Sequence, residues 1–127
     1  KKYNNLKPQN LVHKNSINLN LKNKGYGNIF YPYSNINYKT KIGNFNIFQF
    51  NCSIGHNVII KNNCFFGTNS IISSDCRIAE NVFVGGNSTI VRGKKIENNV
   101  KIGQSCLISK NLKSNSKILN IPRYIQS

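Results

Sequence analysis

The chain has 127 residues, enough for one domain, and sets 18 Lys and Arg against 3 Asp and Glu for a net charge of +15. It holds no apolar run long enough for a transmembrane helix, and residues 1–10 lack the apolar core of a signal peptide, so no membrane span is expected. The positive charge alone would suit nucleic acid, but the lysines are scattered and there is no basic helix, RNA-binding aromatic motif or zinc spacing, so anionic small molecules are the expected partners instead.

Residues 1–28 are irregular. Val12 fits the register that follows, whereas Asn18 and Lys24 do not, and Ile17, Leu19 and Leu21 alternate instead. This stretch reads as a lead-in with one imperfect coil that caps the first end, closed by a turn over Lys24–Asn28. From Ile29 onward every sixth residue is apolar: Phe30, Ile36, Ile42, Phe48, Ile54, Ile60, Phe66, Ile72, Ile78, Val84, Ile90, Ile96, Ile102 and Ile108. The twelve from Ile42 alone have odds of roughly 10⁻⁵ by chance at the chain's apolar frequency. A period of six belongs to neither a helix nor a single amphipathic strand, and predicts a parallel β-helix of hexapeptides.

With the apolar residue as the first position of the hexad, the fourth reads Asn51, Asn57, Asn63, Asn69, Asp75, Asn81, Asn87, Gly93 and Asn99. These types tolerate the left-handed conformation that a sharp corner needs. The fifth reads Cys52, Val58, Cys64, Ser70, Cys76, Val82, Ser88, Val100 and Cys106, small side chains for a second inward slot. Three hexads close one triangular coil, so residues 18 apart stack at the strand spacing of about 4.8 Å. Four to five coils are expected over residues 29–109, with 110–127 as a tail whose Ile118, Leu119 and Ile121 cover the last coil. Lys94 is the exception, in an inward slot. An unpaired buried ammonium is costly, so the backbone is expected to bulge there and turn Lys94 and Lys95 outward.

All four cysteines fall in the fifth position. Cys52 and Cys106 come nearest to alignment, yet they are three coils apart, about 14 Å and beyond disulfide reach. They read as core thiols, which suits a reducing cytoplasm. Candidates for acid–base work are few: Asp75, Glu80, Glu97, His13 in the lead-in, and His56 at an outward corner of the regular coils. The residues alone leave His56 open between a surface imidazole and a base.

Ile54-Gly55-His56-Asn57-Val58-Ile59-Ile60 resembles the Ile-x-His-(Asp/Glu)-Cys-x-Ile motif of hexapeptide-repeat sugar acetyltransferases. That group includes sialic acid O-acetyltransferases and N-acetyltransferases of nucleotide-linked 4-amino sugars. Phe83-Val84-Gly85-Gly86-Asn87-Ser88 resembles their Phe-(apolar)-Gly-x-Asn-Ser stretch, Pro122 their closing Pro-Ala-Lys, and Leu11-Val12-His13-Lys14 their Leu-Ile-His-Pro/Lys. The resemblance runs from about Ile29 to Ile125.

The resemblance implies an all-β, left-handed parallel β-helix that assembles as a homotrimer, with active sites between neighbouring helices and no metal. It implies acetyl-CoA as acyl donor and makes His56 the general base toward a sugar amine or hydroxyl, in bacterial glycan biosynthesis in the cytoplasm. Asn57 stands where the family carries an acid that raises the basicity of its histidine, and Phe65 where some members place a second histidine against the cofactor. Gly85, Gly86 and Gly103 leave room for a pantetheine arm, and Gln104 matches a glycine cofactor contact. Lys94, Lys95, Lys110 and Arg123 are the candidates for the phosphates. Members carry a preceding nucleotide-sugar domain that nothing here resembles, and with no Met in the chain further sequence is expected before Lys1. The alternatives are a hexapeptide acyltransferase with a non-nucleotide acceptor and a non-catalytic β-helix module for assembly or binding. Two histidines, only one of them in the regular coils, argue against a three-histidine metal site.

Overall fold

A left-handed backbone turn every sixth residue decides the architecture. The computed structural model describes residues 5–18 and 24–126. Positive φ recurs at Gly27, Tyr33, Lys39, Phe45, Asn51 and each sixth residue through Ser105, with Gly93 serving at its place in the series. Between corners lie two-residue strands, too short to persist alone, which pair in parallel with the strands one coil away. They build three sheets. Sheet A stacks Leu11–Val12, Ile29–Phe30, Ile47–Phe48, Phe65–Phe66, Phe83–Val84, Lys101–Ile102 and Lys117–Ile118. Sheet B stacks Ile17–Asn18, Asn35–Ile36, Ser53–Ile54, Ile71–Ile72, Thr89–Ile90 and Leu107–Ile108, and sheet C stacks Lys41–Ile42, Ile59–Ile60, Arg77–Ile78 and Lys95–Ile96. The result is a left-handed parallel β-helix of about six turns.

From Phe30 to Ile108 the second residue of each strand points inward. Phe30, Phe48 and Phe66 stack with ring centroids 4.9 and 5.0 Å apart, and Val84 and Ile102 continue the column. The fifth positions form a second buried layer, which includes the polar Asn28, Ser34, Thr40 and Asn46. These are paired. Asn46 Nδ2 donates to the Lys61 carbonyl at 2.9 Å, its Oδ1 accepts from the Cys64 N–H at 2.8 Å, and Asn28 repeats the pattern one coil earlier. A buried amide is tolerated because each coil presents it with one donor and one acceptor. The four cysteines are buried and free.

The structure corrects two expectations. There are more coils than the expected four to five, because both flanks wind as well. Leu11–Val12 pairs with Ile29–Phe30, and Lys117–Ile118 with Lys101–Ile102. The backbone does not bulge at Lys94: Lys95–Ile96 stays in register with Arg77–Ile78, while Gly93 makes the corner at φ 74°. Glycine takes that turn without strain, and Lys94 is only half-buried, as a long aliphatic stem allows when its ammonium reaches water. The register slips later, where Leu112 bridges to Ile96 and Lys117 pairs with Lys101, each two residues short of a full coil. In the tail Leu112 and Ile118 pack on the core, whereas Leu119 and Ile121 are exposed. Leu19 and Leu21 lie outside the described residues.

Candidate active site

The corner between sheets B and C lines up Tyr38, His56, Ser74, Arg92 and Lys110, one per coil. The His56 ring lies on Tyr38, with centroids 5.5 Å apart and planes at 19°. Its Nδ1 is 2.9 Å from Ser74 Oγ, and its Nε2 has no partner among the described residues. Asn57 makes the turn at φ 55°, and its Nδ2 donates to Asp75 Oδ1 at 2.8 Å. Asp75 Oδ2 accepts from Arg92 Nε at 2.7 Å. Arg77 Nη1 donates to the carbonyls of Asn57 and Cys76 at 2.7 and 3.0 Å, pinning the backbone of the corner. The Asn57 amide first, and then Arg92, hold the Asp75 carboxyl below its usual range.

The glycines expected at a cofactor site occupy a different corner, between sheets A and B. A Cβ on Gly85 would meet the Gly103 carbonyl carbon at 2.5 Å, so coil stacking by itself demands glycine there. Gly86 is half-buried and Gln104 exposed. Phe65, on the outside of sheet A, stacks on Phe83 with centroids 4.9 Å apart. Lys95 is exposed on sheet C beside the half-buried Lys94, Lys110 is exposed at the corner of His56, and Arg123 is exposed beyond the last strand. Arg123 apart, the expected residues therefore fall into two groups within one molecule, one at the His56 corner and the start of sheet C, the other on sheet A and the corner leading from it into sheet B.

That face differs from the rest of the surface in charge. Between residues 31 and 109, none of the 11 Lys, Arg, Asp and Glu lies on the outside of sheet B or at the corner leading into it from sheet A. Ten of them lie from the His56 corner through sheet C to the next corner, and Lys101 is on sheet A. No group of three metal-ligating side chains occurs among the described residues. Burial pushes the thiols of Cys52 and Cys64 up to about 12 and about 11, which removes them as nucleophiles at neutral pH.

Sequence reasoning missed Tyr38, Ser74, Asp75 and Arg92 as neighbours of His56 and Asn57. The signal was present in the coil length, since Tyr38 and Ser74 lie one coil either side of His56, and Asp75 one coil after Asn57.

A family model described as bacterial transferase hexapeptide (six repeats) matches residues 57–92. No curated protein sequence matches the chain. Among solved structures, a His-to-Asn variant of perosamine N-acetyltransferase from Caulobacter crescentus, in complex with CoA and GDP-perosamine, is similar at 18% identity and a TM-score of 0.87, covering 96% of this chain and 58% of that one. The acetyltransferase domain of PglB from Neisseria gonorrhoeae is similar at 13% identity and a TM-score of 0.83, covering 89% and 55%. WeeI from Acinetobacter baumannii gives 16% identity and a TM-score of 0.72, covering 74% and 47%. This chain thus spans little more than half the length of the first two. At such identities the likeness is one of fold: the chain is a hexapeptide-repeat left-handed β-helix with the coil stack found in these acetyltransferases.

Proposed function

We propose that the chain is an acetyl-CoA-dependent acetyltransferase that acylates an amine or hydroxyl of a sugar, nucleotide-linked by preference, in bacterial glycan biosynthesis. The observation that carries this reading is the setting of His56. Its ring is fixed by Tyr38 and Ser74, and one nitrogen is left toward solvent at the edge of the uncharged face. With Nδ1–H donating to Ser74 Oγ, the lone pair of Nε2 accepts the acceptor's proton as its nitrogen or oxygen attacks the thioester carbonyl. The proton then passes from the imidazolium to the leaving thiolate. Transfer is direct, since the cysteines are buried.

The site is completed between copies. His56, Asn57, Lys94 and Lys110 border one edge of sheet B, with Lys95 next to them on sheet C, while Gly85, Gly86, Gly103 and Gln104 border the other, with Phe65 on sheet A beyond them. A heterologous contact that brings the first edge of one copy to the second edge of the next closes a ring of three around a threefold axis, with sheet B facing inward. The pantetheine arm then runs along the glycine edge, with its phosphates toward the lysines and Arg123. The absence of like charges on sheet B favours this contact in a chain of net charge +15.

The test is a panel of nucleotide-linked amino and deoxy sugars, with free sugars beside them, scored by release of free CoA. His56→Ala is expected to lower kcat by about 10²–10⁴ with acetyl-CoA affinity kept, the usual cost of losing a general base. A wild-type rate in that variant would make His56 a surface residue.

A further inference from the structure

We infer that Asp75, reaching in from the next coil, supplies the negative charge that stabilises His56 as it takes on a proton, and so replaces the acid that Asn57 lacks; this rests on the general-base reading of His56. The sequence places an amide where the resembled family has a carboxylate. The fold brings a carboxylate to that amide, because Asp75 is one coil after Asn57 and its Oδ1 accepts from Asn57 Nδ2 at 2.8 Å. The two corners are also tied through the backbone, the Asp75 N–H donating to the His56 carbonyl at 3.1 Å. Ser74, the residue before Asp75, occupies His56 Nδ1. One dipeptide of the neighbouring coil thus provides both the hydrogen bond to the ring and the nearby charge.

The charged and titratable groups around the ring are Tyr38 beneath it, Lys39 with its Nζ 5.8 Å from the Tyr38 centroid, Asp75, Arg77 and Arg92. Arg77 is held by two backbone carbonyls, which leaves its charge fixed. Arg92 is bound to Asp75, and its side chain is 73% exposed against 28% for Asp75. The carboxylate is therefore the more shielded from water of the two, and its field on the imidazole is screened less than that of its partner. Asp75 acts as a positioning residue: it touches neither the ring nor the substrate.

This assignment separates from a purely structural role by sign. If Asp75 only braces the corner, removing either member of its pair with Arg92 loosens the same bond, and both variants act in the same direction. If it acts by charge, Asp75→Asn and Arg92→Gln act oppositely.

The experiment follows the two histidines of the full chain by NMR through a pH titration, with His56→Ala to assign the signals. Asp75→Asn is expected to move the His56 midpoint down, and Arg92→Gln to move it up. Asn57→Asp combined with Asp75→Asn should bring it back to or above the wild-type value. With an acceptor from the panel, the acid limb of kcat/KM should move in the same directions. Midpoints that stay put, or move the same way in both variants, overturn the inference. If Asp75→Asn fails to fold, Asp75→Ser carries the test, and the inference falls unless the midpoint drops in that variant. A His56→Ala chain that acetylates at the wild-type rate removes the general-base reading, while the titration still reports whether Asp75 acts on the ring.

Discussion

At the scale of single residues the corners are the decisive positions, and they are not all equally suited to their task. Asn and Asp take the left-handed turn from Asn51 to Asn99 with one Gly among them, but Tyr33, Lys39 and Phe45 take it at φ 62°, 57° and 59°. An ordinary side chain there costs roughly 1–2 kcal/mol, and Asn costs less because its amide bonds locally to the backbone. Lys39→Asn is therefore expected to raise the unfolding free energy by about 0.5–1 kcal/mol, read as a later denaturant midpoint at unchanged slope. Phe45→Asn should gain less, since it loses the edge contact with Tyr26 at 6.1 Å between centroids. The Asn corners were legible because residue type and position agree. Tyr33 and Phe45 were legible only through the period, since nothing in a bulky aromatic suggests positive φ. His56 stood out as the one histidine in the regular coils, whereas Ser74 and Asp75 become its neighbours only once the coil has closed.

At the scale of the element, the coil was legible wherever its apolar marker was present, and hidden where the marker was replaced. Lys24 stands at a marker position and still bridges to Ile42, with its Nζ 4.8 Å from the centre of the Phe30 ring at the end of the aromatic column. Burial lowers its pKa, and the ring face compensates part of that cost. The last coil was hidden for another reason, its two missing residues, which break the period at Ile108 while the pairing goes on. The fifth-position thiols give the coil a pH dependence. Cys52 and Cys64 have their pKa raised from 9.0 to about 12 and about 11, so above pH 9 the unfolded chain releases protons that the folded chain keeps. Their contribution is fully present below the unfolded pKa and is lost as pH rises through the interval up to the folded values. At pH 10.5 the loss should be about 2 kcal/mol for each thiol relative to pH 8. Denaturant unfolding of Cys52→Ala and Cys64→Ala should show a lower stability at pH 8 and a flatter alkaline decline. An undiminished decline in both variants would assign the alkaline loss to the lysines and tyrosines instead.

At the scale of the whole molecule, the chain separates charge from the face that the proposed assembly covers. Sheet B shows Asn35, Ser53, Ile71, Thr89 and Leu107 to the outside, and Ile71 and Leu107 are 44% and 69% exposed. The free energy of burying such modest apolar area competes with repulsion between chains of net charge +15, so a single added cation on this face should decide the balance. Ile71→Lys brings three ammonium groups near the threefold axis and is expected to turn a trimer into a monomer in sedimentation at micromolar concentration. Lys41→Glu, on sheet C, should leave the trimer intact. The heterologous contact makes a further demand that no isologous dimer would meet. In the proposed assembly each active site would take its base from one copy and its glycine edge from the next, so variants damaged on opposite edges should complement one another. His56→Ala removes the base, and Gly86→Trp fills the edge where the pantetheine arm is proposed to lie. Either chain alone is expected to be nearly inactive as a trimer. Unfolded together in equal amounts and refolded, they place an intact base against an intact edge at about one interface in four, so about a quarter of the wild-type rate should return. A mixture that sediments as a trimer and stays inactive would mean that both edges of one site belong to the same copy, and the arrangement around sheet B would have to be abandoned.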